Sequence, residues 1–137
     1  MGTTIRPELS ERHRYWISRH RYYELKHFCL QYPEWKKAYA SLDGMSKRPL
    51  DPIIFANCHG DPTARCAEAK EFYSNRIEMI VRVAKETDLA MWDYILKGVT
   101  EGVSYDHLRA TLDIPCCKSV YYDLYRRFFW LLNKARN

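Results

Sequence analysis

Apolar residues recur along most of this chain at spacings of three and four rather than two, and the punctuation between the recurrences predicts an all-α fold. Tyr22, Leu25, Cys29 and Tyr32 follow that period with Phe28 beside them, so a helix is expected from about Ser18 to Gln31, closed by Pro33. Pro33 then opens a shorter helix through Trp35, Ala38, Tyr39 and Leu42 that ends at the turn pair Asp43 and Gly44. The two should form an N-terminal helical hairpin. From Gly44 to Gly60 the chain carries Pro49 and Pro52 and no sustained period, which predicts a surface loop, the loosest part of the fold, with Ile53, Ile54 and Phe55 tucked down.

Asp61 and Pro62 are a strong helix start, because the aspartate accepts from free N–H groups while proline lacks the donor that would be orphaned. A long helix to about Glu86 follows, with Cys66, Ala69, Tyr73, Ile77, Ile80 and Ala84 inward. Glu68, Glu71, Glu78, Arg82 and Lys85 take the wet side, and Glu78 with Arg82 makes a favourable pair four residues apart. Asp88 is placed to cap a helix from Leu89 to about Thr100, and Gly102 sits where a left-handed residue usually ends one. Ser104 caps a short helix holding Leu108 and Leu112; Asp113, Ile114 and Pro115 interrupt it. A last helix should run from about Cys116 to Ala135 with Val120, Leu124, Phe128 and Leu131 inward.

Residues 88–136 therefore read as a helix-turn-helix subregion within a single helical domain spanning residues 1–137. Such a motif needs a tight turn so that the first helix braces the second. Asp113 stands where glycine is commonest, and aspartate tolerates the left-handed conformation better than most residues. With Val120, Leu124, Phe128 and Leu131 inward, Lys118, Ser119, Tyr122, Arg126, Asn133 and Lys134 face partly outward. In a groove-binding mode Lys118, Ser119 and Tyr122 reach base edges, while Arg126, Arg127, Lys134 and Arg109 on the bracing helix meet phosphates. The same residues also fit the solvated side of an amphipathic hairpin.

Glu101, Gly102 and Ser104 before the bracing helix, Leu108 and Leu112 within it, Ile114 in the turn, and Val120 with Leu124 beyond carry a resemblance. The segment resembles the fourth region of bacterial sigma factors and phage late-gene transcriptional activators of the RinA and ArpU type. That resemblance implies a phage or prophage-type regulator that binds duplex DNA through its C-terminal helices. Its N-terminal helices would pack, form a homo-oligomer, or meet RNA polymerase or another host protein complex. Pro115, Cys116 and Cys117 replace the small hydroxyl residues common at the start of such a recognition helix, so no target sequence transfers. The alternative is a phage-encoded protein-binding inhibitor of a host nuclease complex, such as an anti-CRISPR protein.

Charge permits either reading: 22 Lys and Arg against 17 Asp and Glu give +5 over 137 residues, which suits acidic partners and disfavours DNA mimicry. A second basic stretch, residues 11–27, interleaves Arg12, Arg14, Arg19, Arg21 and Lys26 with Tyr15, Trp16, Tyr22 and Tyr23. Aromatics in the core covered by arginine stems account for it better than phosphate contacts do. Five cysteines without a repeating framework, Cys116 and Cys117 adjacent, point to thiols in a reducing compartment, which the resemblance makes the host bacterial cytoplasm. No signal-like apolar start and no run of about 18 apolar residues accompanies them, so no membrane role is expected.

Metal and cofactor are not expected. His13, His20 and His27 recur every seven residues, about 10 Å apart by helical rise, too far to share one ion. Cys58, His59 and Cys66, with Cys29, match no common zinc spacing. Nor is an enzyme expected, since the chain has no glycine-rich phosphate loop, no Gly-x-Ser-x-Gly and no clustered carboxylates.

Overall fold

A computed structural model describes residues 11–45 and 62–137, and among them the chain is helical with no strand. Six helices follow one another: α1 (Arg19–Leu30), α2 (Tyr32–Met45), α3 (Pro62–Thr87), α4 (Trp92–Glu101), α5 (Tyr105–Leu112) and α6 (Lys118–Ala135). The loop expected over Gly44–Gly60 lies, apart from its first two residues, outside the described residues, as do Cys58, His59 and Asp61. None of the described helices is long and apolar enough to cross a membrane.

The described chain forms two compact units, one of residues 11–31 and 79–137 and one of residues 32–78. Gln31 alone separates α1 from α2, so the expected hairpin is split between them. In the smaller unit Trp35 is buried, and the Cys66 thiol donates to the Leu42 carbonyl at 3.8 Å, joining α3 to α2. Phe72 is exposed there with the Arg76 guanidinium 3.5 Å from its ring centre.

Local chemistry sets most helix ends in the larger unit. Ser18 accepts from the Arg21 N–H and starts α1; Ser104 accepts from the His107 N–H and starts α5. Gly102 ends α4 with φ 69°, its N–H donating to the Gly98 carbonyl, and Asp113 ends α5 with φ 50°. One boundary differs from expectation. Asp88 Oδ1 accepts from the N–H groups of both Ala90 and Met91, which closes a separate turn, so α4 begins at Trp92 rather than Leu89. Glu78 also departs from expectation: it accepts from the Ser74 hydroxyl at 3.4 Å and forms no ion pair with Arg82.

Helix α4 packs on α1, α5 and α6, and α1 packs on α6 as well. The core joins Leu25, Phe28 and Cys29 of α1, Ile80, Val83 and Ala84 of α3, Ile95 and Val99 of α4, and Leu108 of α5. On α6 the buried face is Tyr121, Tyr122, Phe128, Phe129 and Leu132. Val120 is exposed, whereas Leu124 and Leu131 are only half-buried, so the inward face is turned about one residue, roughly 100°, from the expected row. Aromatic residues, not the aliphatic ones, choose the face. Leu112, expected inward, is 41% exposed.

Gly98 marks the tightest helix crossing. A Cβ there would collide with the Tyr121 hydroxyl, with Tyr121 Cζ at 3.3 Å and Leu108 Cδ1 at 3.7 Å. The Tyr121 hydroxyl is itself buried without a hydrogen-bond partner. In an open helix Gly98→Ala would stabilise by about 1 kcal/mol. Here it should destabilise by about 1–3 kcal/mol through overpacking, and Tyr121→Phe should recover most of that loss. Urea unfolding of both single variants and the double variant checks the coupling, and additive losses would refute it.

Burial raises the pKa values of Tyr22, Tyr121 and Tyr125, and the Tyr22 and Tyr125 hydroxyls share a 2.7 Å hydrogen bond. A phenol that holds its proton more tightly when folded leaves stability intact below its unfolded value near 10, then costs stability as pH rises toward the folded values. Tyrosinate absorbance followed with circular dichroism should therefore show a late-titrating group of tyrosines that ionise together with loss of helix. Ionisation of every tyrosine near pH 10 with helix intact would contradict this.

Candidate nucleic-acid interface

The turn between α5 and α6 is fastened by two tyrosines. Tyr105, the first residue of α5, donates its hydroxyl to the Cys116 carbonyl at 2.6 Å, and its own N–H donates to the Tyr122 hydroxyl at 3.4 Å. That second bond occupies one of the N–H groups left orphaned at a helix start. Ile114 is fully buried beneath the turn, while Pro115 and Cys116 bend outward so that α6 begins at Lys118 rather than Cys116. The bracing helix and the longer helix are thus held by a buried plug and by hydrogen bonds at both sides of the turn.

This arrangement corrects one proposed contact. Tyr122, expected at base edges, is 8% exposed and packs against Tyr105, Tyr121 and Tyr125, with ring centres 6.4, 5.1 and 6.1 Å away. It braces the motif and cannot read a groove from that position. The outer face of the first two turns of α6 instead presents Ser119, Val120 and Asp123, all exposed, with Lys118 exposed beside them. The sequence does not mark Val120 and Asp123 as outward, because the aliphatic row of Val120, Leu124, Phe128 and Leu131 suggests the wrong inner face.

The other expected residues take varied positions. Lys118 lies 3.9 Å from Asp106 on α5, and Arg109 lies 3.9 Å from Asp113 while donating to the Ile114 carbonyl at 3.5 Å. These are exposed pairs of little energetic weight, open to exchange for a stronger anion. Farther along α6, Arg126 and Arg127 are half-buried, their Nε atoms covered and without hydrogen bonds, as expected of stems lying along protein. Lys134 is exposed with its ammonium 3.5 Å from the Trp130 ring centre. Asn133, expected partly outward, accepts from Arg21 Nε at 2.7 Å and ties α6 to α1.

An open depression of about 710 Å³ lies beside the turn, lined by Tyr105, Arg109, Asp113, Ile114, Pro115, Cys116, Cys117 and Lys118. Two cations, one carboxylate, a phenol and two thiols give it its chemistry. No group of three or more His, Cys, Asp or Glu residues is placed to hold a metal among the described residues. Comparisons of the chain with protein-family models, with curated proteins and with solved structures return no match.

The two adjacent thiols differ. Cys117 occupies the N-cap position of α6, fully exposed, with its sulfur 3.4 Å from the Ser119 hydroxyl; that contact and backbone N–H groups of the first turn hold its pKa below the ordinary thiol value. Cys116 is raised by burial and by the neighbouring Cys117 and Asp88, and the buried Cys29 is raised much further, chiefly by burial. A limiting amount of iodoacetamide near pH 7.5 should modify Cys117 before Cys116 and leave Cys29 unmodified in the folded chain, as read by peptide mass mapping. Preferential labelling of Cys29 would show that the core is open.

Proposed function

We propose that the chain is a phage or prophage-type transcriptional regulator that binds duplex DNA, inserting the first turns of α6 into the major groove. The observation that supports this most is the division of labour on α6. Its tyrosine face fastens the helix to the body and to α5, leaving Ser119, Val120 and Asp123 outward and free of core duty. Those side chains suit base edges: a hydroxyl for either donor or acceptor, an apolar group for a thymine methyl, and a carboxylate for a cytosine amino group. Lys118, Arg109, Arg126 and Arg127 supply phosphate contacts around them. In this reading the protein works in the host cytoplasm, and RNA polymerase is the partner its remaining surface would meet.

A second reading, a protein-binding inhibitor of a host nuclease complex, draws on Leu112 and Val120, which are 41% and 47% exposed on the two helices of the motif. Apolar side chains there also suit a protein surface.

Selection of sequences from a random duplex pool separates the readings. Asp123→Ala and Val120→Ala should relax base preference at one or two positions by about 1–3 kcal/mol, while Lys118→Ala should weaken binding evenly across sequences. These exposed changes should alter stability by no more than about 0.5 kcal/mol, whereas Leu108→Ala, at a fully buried position, should cost about 2–5 kcal/mol. No affinity of the parent chain for any duplex at low salt would overturn DNA binding. One stoichiometric, nuclease-resistant protein partner would then favour the inhibitor.

A further inference from the structure

We infer that Arg14, Tyr15, Trp130 and Lys134 form a phosphate clamp that grips the backbone of duplex DNA beyond the groove α6 enters; this rests on the DNA-binding reading above. The four side chains make a continuous stack joining the segment before α1 to the far half of α6. The Arg14 guanidinium lies 4.5 Å from the Tyr15 ring centre, Tyr15 lies 5.5 Å from Trp130, and the Lys134 ammonium lies 3.5 Å from Trp130. Both cations are exposed, and neither forms an ion pair with another of the described residues.

The segment carrying Arg14 is fixed rather than loose. Tyr15 and Ile17 are buried, and the Tyr15 N–H donates to His13 Nδ1 at 3.0 Å. A cation resting on an aromatic face surrenders little further freedom when it meets an anion, so the clamp is preorganised. The rings are engaged with each other and with the two cations, which makes this a charged surface rather than a platform for stacking bases.

Its position selects the partner. On α6 the outer face runs from Ser119 and Val120 through Asp123 and Arg127 to Trp130 and Lys134, one row at helical spacing. From Val120 to Trp130 the helix rises about 15 Å, while the major groove is about 12 Å wide. A helix that crosses the groove, with its first turns between the strands, carries its later turns onto a sugar-phosphate strand. Arg126 and Arg127 occupy the interval, so the charge along this track is positive, Asp123 and Glu11 being the acids nearest its ends in sequence. Spaced cations leading away from a groove-facing turn fit a polyphosphate backbone.

The test measures duplex affinity against salt by fluorescence anisotropy, using the full chain and a mixed-sequence duplex of about 30 base pairs. The variant Arg14→Gln/Lys134→Gln should reduce the slope of log affinity against log salt by about two, because each phosphate contact contributes about 0.9. Between about 50 mM and about 200 mM salt the parent should then lose roughly tenfold more affinity than the variant. Base preference should stay the same, and Trp130→Leu, which keeps both charges but removes the ring, should weaken binding less than the double variant. A charge-matched control, Lys37→Gln/Lys85→Gln on α2 and α3, should leave the slope nearly unchanged. An equal drop in the control, or an unchanged slope in Arg14→Gln/Lys134→Gln while Lys118→Ala still weakens binding, would overturn the clamp alone. Absence of duplex binding by the parent would overturn the DNA-binding reading and the clamp with it.

Discussion

Burying a hydroxyl without a partner offsets much of what burying the ring that carries it contributes, so a core rich in tyrosine is best arranged around its hydrogen bonds. The larger unit follows that constraint. Tyr22 of α1 shares a proton bridge with Tyr125 of α6, Tyr122 accepts from the start of α5, and Tyr105 donates across the turn. Each bond joins different segments, so the rotation of α6 about its axis is specified by directional contacts as well as by area. The Tyr121 hydroxyl is buried without a partner among the described residues, and it fills the space left where α4 has a glycine. Changing the face of α6 would break the hydroxyl bonds of Tyr122 and Tyr125 at once.

That constraint also explains what could be read from the chain before its structure. Ser18, Ser104, Gly102 and Asp113 announce helix ends because capping and left-handed backbone depend on a few neighbouring residues. The long α3 was equally legible from its period. The face of α6 was not, because Val120, Leu124, Phe128 and Leu131 form as regular a row as Tyr121, Phe128 and Leu132. Choosing between them depends on what Tyr22 and Tyr105 offer from elsewhere. Asp88 misled for a related reason: its carboxylate does cap N–H groups, but those of a turn that precedes the helix.

For the candidate site, the sequence shows the helix-turn-helix spacing and its cations, but not which side chains of α6 pack on the body and which stay outward. Tyr122 lies on the buried side of the helix, whereas Val120 and Asp123 are exposed beside Ser119. The basic and aromatic stretch ahead of α1 shows the same limit. Tyr15 is core, as its apolar body suggests, yet Arg14 does more than shield it, since the ring beneath it continues into Trp130 on α6. Only the fold brings those residues, far apart in sequence, into one stack.

The separation of duties around α6 bears on how such a protein changes over generations. Residues that hold the helix in place lie on one side, and Ser119, Val120 and Asp123 lie on the other without hydrogen bonds that anchor the body. Mutations at those three sites carry little folding cost, so a lineage can sample new surface chemistries there while keeping the same scaffold. The tyrosine side has the opposite character, because its members bond to or pack against residues of other segments. Variation should accumulate unevenly along this one helix, fast on the face that meets the outside and slow on the face that meets the body.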